Sequence, residues 1–219
     1  MHMLPMKKIG FVISTVIVLG FCHSCQQGDK AQEQNDQTQV IDSIGDNTSE
    51  EQALILKEGS FGGVILPFWQ IDAHEEIRNC LENYEVQGET AIAEGGEFKV
   101  YNVLQEGTTI CSFEMSMDDS TYLYELVLRD SVVADEYGLK VGDPYLKIKE
   151  LRPTALKAKM GYHFHTYVRV PSSHIYYEIT GDYQMPDDLK LETINAHEFD
   201  EADLKDWSIK RIIWGNEKS

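Results

Sequence analysis

Three groups of side chains have the types and spacing that chemistry requires. Cys22 and Cys25, in GFCHSCQQGDK, form a C-x-x-C pair, the spacing of dithiol redox centres and of metal sites. His163 and His165, in HFHTYVRV, form an H-x-H pair. On a strand alternate side chains project together, so these histidines would share a face with Tyr167 and Arg169 and could offer zinc or copper two ligands. A third ligand is needed, and His174 sits beside the Pro171-Ser172-Ser173 turn, where strand pairing carries it away from His165. Carboxylates gather at Glu75-Glu76, at Asp118-Asp119 and in a loop from Asp182 to Asp203. The loop lacks the D-x-[DN]-x-[DN]-G order of a calcium site, and paired acids at helix starts and turns serve as caps. G-x-S-x-G, H-E-x-x-H, the phosphate-cradling G-x-x-x-x-G-K-[ST] and a helix-opening G-x-G-x-x-G are all absent. These patterns call for no catalytic residue, metal or cofactor, and a polar, solvated sheet face is the better reading of the histidine pair.

The residues before the cysteines decide what Cys22 and Cys25 are. Lys7 and Lys8 precede an apolar run from Ile9 to Phe21, too short to span a bilayer as a helix. A basic start, a short apolar run and small residues make a secretory signal, expected over residues 1–24. Ser24 before Cys25 suits a lipoprotein signal peptidase, whereas Phe21 before Cys22 does not, so Cys25 is the expected lipidation site. Cys22 stands where such a signal usually carries Leu. Conventional cleavage and redox chemistry are the alternatives.

Residues 25–53 contain seven acids, one lysine and no aromatic residue, and they read as a disordered acidic tether. The chain carries a formal charge of −18, which opposes nucleic acid and anionic head groups. Two cysteines remain in residues 54–219, read as a single domain. Cys80 falls on the apolar face of IDAHEEIRNCLENY with Ile77, Leu81 and Tyr84, and Cys111 alternates inward with Phe113 and Met115. An exported chain permits a disulfide between them, and two buried thiols are the other reading.

The elements that must position these groups follow from periodicity. ALILKEGSFGGVILPF is an extended lead-in broken by glycines. Asp72 and Glu75 form a capping box for a first helix, and Asp143 with Pro144 is expected to cap a second that stops before Pro153. EFKVYNVLQ, TTICSFEMS, YLYELVLRD, HFHTYVRV, HIYYEIT and WSIKRIIW are expected strands. Each half runs lead-in, helix, strands, with YLYELVLRD and SIKRIIW in equivalent places. The fold class is therefore α+β: a mainly antiparallel sheet with short helices on one face, in two related helix-plus-strands units. Tyr122, Tyr124, Tyr176, Tyr177, Trp207 and Trp214 should mostly fill the core, with some free to line a groove. Trp69 is read as a lid or a functional residue.

YLYELVLRDS followed by YGLKVGDPYLKIKELRP, then HIYYEITGDY and the closing LKDWSIKRIIW, resembles the sigma-E-regulated lipoprotein family of Gram-negative envelopes, a domain of unknown function. The resemblance runs from Tyr122 to Trp214. It implies an outer-membrane lipoprotein linked to envelope stress, and it implies no catalytic residues. The expectation is an uncharacterised envelope protein held to the membrane by a lipid anchor, binding another envelope protein or a small ligand. The alternative is a metal-dependent or hydrolytic enzyme centred on His163 and His165.

Overall fold

A computed structural model describes residues 54–184 and 197–216. The signal segment, Cys25, the tether and Asp187, Asp188 and Glu192 of the acidic loop lie outside the described residues. The lead-in forms three short strands, β1 (Ile55–Lys57), β2 (Ser60–Phe61) and β3 (Val64–Ile65), broken at Gly62 and Gly63, whose positive φ glycine accommodates. Helix α1 (Ala73–Cys80) starts at Asp72, whose carboxylate accepts the Glu75 N–H at 3.2 Å. Its apolar stripe buries Ile77 and Leu81.

Four strands then meander: β4 (Glu85–Ala93), β5 (Gly96–Gln105), β6 (Thr108–Met115) and β7 (Leu123–Leu128). After a short β8 (Ala134–Asp135), parallel to β1, comes helix α2 (Tyr145–Leu151). A second run follows: β9 (Lys159–Met160), β10 (Thr166–Val168), β11 (Ile175–Thr180) and β12 (Ser208–Gly215). The sheet order is β4-β5-β6-β7-β12-β11-β10-β9, antiparallel throughout, with a second sheet ordered β3-β2-β1-β8. The α+β class holds, and so does the two-unit organisation. Each unit contributes a helix and four strands, and the units meet where β7 pairs with β12.

The register makes the relation between units residue-specific. Val127 pairs with Ile213, and Leu126–Trp214 and Leu128–Ile212 flank it symmetrically. The two units share a bulge at the matching place, Tyr124 between Leu123 and Glu125, and Lys210 between Ile209 and Arg211. Cys111, Phe113 and Met115 of β6 correspond to Ile175, Tyr177 and Ile179 of β11, and all six are buried in one core with Ile77 of α1 and Tyr145 and Ile148 of α2. Phe113 meets Phe61 and Phe68 edge-on at 6.0 and 6.1 Å, fastening the lead-in to the sheet.

Four expectations need correction. Asp143 does not cap α2: Pro144 occupies the cap position, and the Asp143 carboxylate instead accepts from Lys140 N–H and Lys147 Nζ, both at 2.8 Å. The spacing of Tyr145, Ile148 and Leu151 puts all three on one face of α2, yet Leu151 stays partly exposed. HFHTYVRV is not one strand. β9 must reverse into β10, so residues 162–164 form a 3-10 turn in which His163 and Phe164 have positive φ, and pairing resumes only at Thr166. Strand β4 is additional, its sequence hidden because an edge strand exposed along most of its length carries little apolar alternation.

Candidate ligand-binding face

The alternation that sends Phe113, Leu126, Tyr177 and Ile212 into the core sends their neighbours to the opposite sheet face. At the centre of that face Val127, Tyr176 and Ile213 form a second, small apolar cluster, with Tyr167 packed against it. Charged residues surround it: Glu114, Glu125 and Glu178, each the one charge in its strand, and Arg211, which follows Lys210.

The two units treat equivalent positions differently. In the second, Glu178 of β11 stands opposite Arg211 of β12, an ion pair. The bulge also brings Lys210 to the same carboxylate at 3.0 Å, and His165 Nδ1 lies 2.7 Å from it. Glu178 is 1% exposed. Burial pushes its pKa up, but the bonds from Lys210, Arg211 and His165 outweigh that and hold it below the usual carboxylate range. In the first unit the matching residues are Glu114 and Glu125, two carboxylates directly opposite. Burial raises both pKa values, helped at Glu114 by the Glu125 charge and at Glu125 by the Glu178 charge, although Arg129 bonds Glu114 at 2.9 Å and Tyr176 donates to Glu125 at 2.5 Å. Arg129 also donates to Ser112 Oγ at 2.8 Å, which donates to Asn102 at 2.7 Å, which in turn donates to Glu89 at 2.7 Å.

Beside this charged face lies a groove of about 530 Å³ whose walls include Tyr124, Glu125, Tyr167, Arg169, Tyr176 and Lys159. Tyr124 projects because its bulge turns it out of the alternation, and it is 57% exposed. The Arg169 guanidinium lies over the Tyr176 ring, 4.4 Å from its centroid. The groove thus offers aromatic surface with both signs of charge at its wall.

The residues singled out from sequence separate here. His165 joins the face through Glu178, but His163 sits in the turn, exposed, 3.8 Å from Glu94. The pair therefore does not share a strand face, because the chain reversal falls between them. His174 stacks on Trp214 and bonds the Gly215 carbonyl at 2.8 Å. Among the described residues no group of three or more His, Cys, Asp or Glu is placed to hold a metal ion. Asp119 closes a turn by accepting from Thr121, and Glu75 pairs with Arg78. Tyr177, Trp207 and Trp214 are core; Tyr176 faces the groove; Tyr122 packs at a tilt against the exposed Trp69, ring centroids 4.5 Å apart. Cys80 and Cys111 are both free thiols. Glu114, Glu125, Glu178 and Arg211 escaped the sequence reading. For the three glutamates the available signal was a lone charge inside a strand, whereas Arg211 was masked by its neighbour Lys210.

No family model matches the chain, and no curated protein matches it. Among solved structures it is similar to the crystal structure of the uncharacterised protein yfeY from Escherichia coli, with a TM-score of 0.52 and 18% identity, covering 74% of this chain and 99% of that one. At that identity the likeness establishes a shared fold.

Proposed function

We propose that this chain is a lipid-anchored cell-envelope protein, attached through Cys25 and tethered by residues 25–53, whose domain binds rather than transforms its ligand. The observation that carries the binding role is the groove at Tyr124, Tyr167 and Glu125, next to the opposed carboxylates Glu114 and Glu125. Desolvated like charges cost stability, and surfaces that keep such a cost commonly do so for recognition. Aromatic walls with Lys159, Arg169 and Glu125 suit a ligand carrying both signs of charge beside an apolar side group, the chemistry of a peptide segment. The lipobox-like end of the signal and the acidic tether support the location. The resemblance to the sigma-E-regulated lipoprotein family supports an outer-membrane, stress-linked setting.

The test is site-specific photocrosslinking in intact cells. A photoreactive residue at Tyr124 or Tyr167 is expected to give one discrete adduct that the same residue at exposed Val132 does not. Equal adducts at all three positions, or none at Tyr124 and Tyr167, would overturn the binding role. Mass spectrometry of the native chain tests the anchor, with a diacylated or triacylated Cys25 as the new amino terminus expected.

A further inference from the structure

A second cavity, of about 630 Å³, opens between the end of α2, the Pro171–Ser173 turn and the turn joining β1 to β2. Arg152, the residue that ends α2, lies in its wall and is only 5% exposed. Its guanidinium is held in place from three sides. It donates to Tyr177 OH and to Ser173 Oγ, each at 3.0 Å, and it lies 3.7 Å from the Tyr137 ring centroid.

None of these contacts is a carboxylate. A buried guanidinium ordinarily meets an acid directly, in the bidentate geometry that its planar fork favours. Here Glu58 Oε1 lies 3.7 Å from Arg152 Nη2, an ion pair without a hydrogen bond. The Glu58 carboxylate is engaged instead by the Ser173 hydroxyl and by the His174 N–H at 2.8 Å. The other acid, buried Asp135, is reached only through Tyr177, which donates to it at 2.7 Å. The surrounding groups are therefore a fixed fork, a hydroxyl and a backbone N–H turned toward one corner of a cavity. The remaining wall at Leu151, Pro153, Val170 and Pro171 is largely apolar.

We propose that this cavity binds a small molecule bearing a carboxylate or phosphate group, which Arg152 receives at the corner where Glu58 now stands close without bonding it. The apolar part of the ligand lies against Pro153, Val170 and Pro171. Glu58 is a built-in competitor. It belongs to the turn that ties the lead-in to the rest of the domain, and its carbonyl accepts from Trp214 Nε1 at 2.8 Å, so an arriving anion shifts a tryptophan contact as it displaces the carboxylate. This site is separate from the tyrosine groove, and neither proposal depends on the other.

The experiment titrates the ¹⁵N-labelled full chain, in detergent micelles, with inorganic phosphate and separately with hexanoate, following the Trp214 indole N–H and the His174 amide. At least one probe is expected to shift both signals saturably. Phosphate alone would identify a phosphoryl ligand, hexanoate alone a carboxylate, and both a site that reads charge and fork geometry. Glu58→Gln removes the competing charge and should tighten binding by about tenfold, whereas Arg152→Met should abolish it. The proposal fails if neither probe saturates, if a folded Arg152→Met chain still responds, or if Glu58→Gln leaves the affinity unchanged. That last comparison decides the matter even if Arg152→Met does not fold.

Discussion

Replacing Glu178 by Gln tests the electrostatic account of the sheet face at its most buried point. Glu178 is 1% exposed and takes bonds from Lys210 at 3.0 Å, from Arg211, and from His165 at 2.7 Å. Hydrogen bonds to a charged group contribute about 1.5–3 kcal/mol each. The full sum is not lost, because Gln retains one acceptor oxygen and the Arg211 and Lys210 side chains are 24% and 47% exposed, so both can rehydrate. The amide nitrogen, however, must face a donor. The expected net loss is about 3 kcal/mol, or about 6–12 °C in Tm for a domain of this size. Urea and thermal unfolding across pH measure it. Because the folded pKa of Glu178 lies below its ordinary value, its stabilisation is complete above the unfolded value of about 4.3 and disappears as pH falls through the folded one. The gap between the native chain and Glu178→Gln should therefore hold from pH 7 to 5 and close below pH 4. A gap under about 1 kcal/mol at pH 7, or one that survives unchanged at pH 3, would refute the reasoning.

Thiol labelling with peptide mapping should modify Cys80 slowly in the folded chain and Cys111 only on unfolding. Cys111 is fully buried, whereas Cys80 is partly exposed, and burial together with the Glu76 charge raises the Cys80 pKa. Equal rates at both sites would contradict the core described here. Gly181→Ala should cost about 1–3 kcal/mol in urea unfolding, since a Cβ there would overlap the buried Trp207 indole. A neutral effect would mean that the Trp207 packing is wrong.

What the sequence disclosed, and what it hid, follows from the range of the interactions concerned. Helix α1 was legible because its cap and its apolar stripe lie within one short segment, and β6, β7, β11 and β12 were legible because alternation is local. The relation between units was readable from the order of elements, and the β7–β12 register gave it residue-level form. HFHTYVRV misled because its β-branched and aromatic content resembles a strand, while the need to reverse direction after β9 is set by pairing partners elsewhere. Glu178 could be seen as a lone charge in IYYEIT, but its partners are His165, just before β10, and Lys210 and Arg211 of β12, Lys210 brought in by a bulge that no local pattern announces. The same holds for Arg152, which meets Ser173, Tyr177 and Tyr137 only after α2, β11 and the segment following β8 have packed.

The comparison between units turns one of these hidden positions into a functional argument. Glu125 occupies in β7 the place that Arg211 occupies in β12, so Glu114 faces a like charge where Glu178 faces a cation, and takes its ion pair from Arg129 instead. The first unit instead retains two desolvated carboxylates on facing strands. If stability alone governed this face, removing one charge should help, and Glu125→Gln does so while leaving an oxygen for the Tyr176 hydroxyl. The expected gain at pH 7 is up to about 1 kcal/mol, the scale of a like-charge cross-strand pair. Its sign can be checked by acidification. The folded pKa of Glu125 is raised, chiefly by burial, so the destabilisation is present above that value and relieved as pH falls through it. The advantage of Glu125→Gln should therefore shrink between neutral pH and pH 4. In cells the same substitution should weaken the adduct formed from Tyr167, because the groove loses its acidic wall. A variant that is both more stable and less able to capture its ligand would mean that the opposed carboxylates are kept for binding. A variant destabilised at pH 7, or one with an advantage indifferent to pH, would remove the electrostatic reason for placing the site on this face.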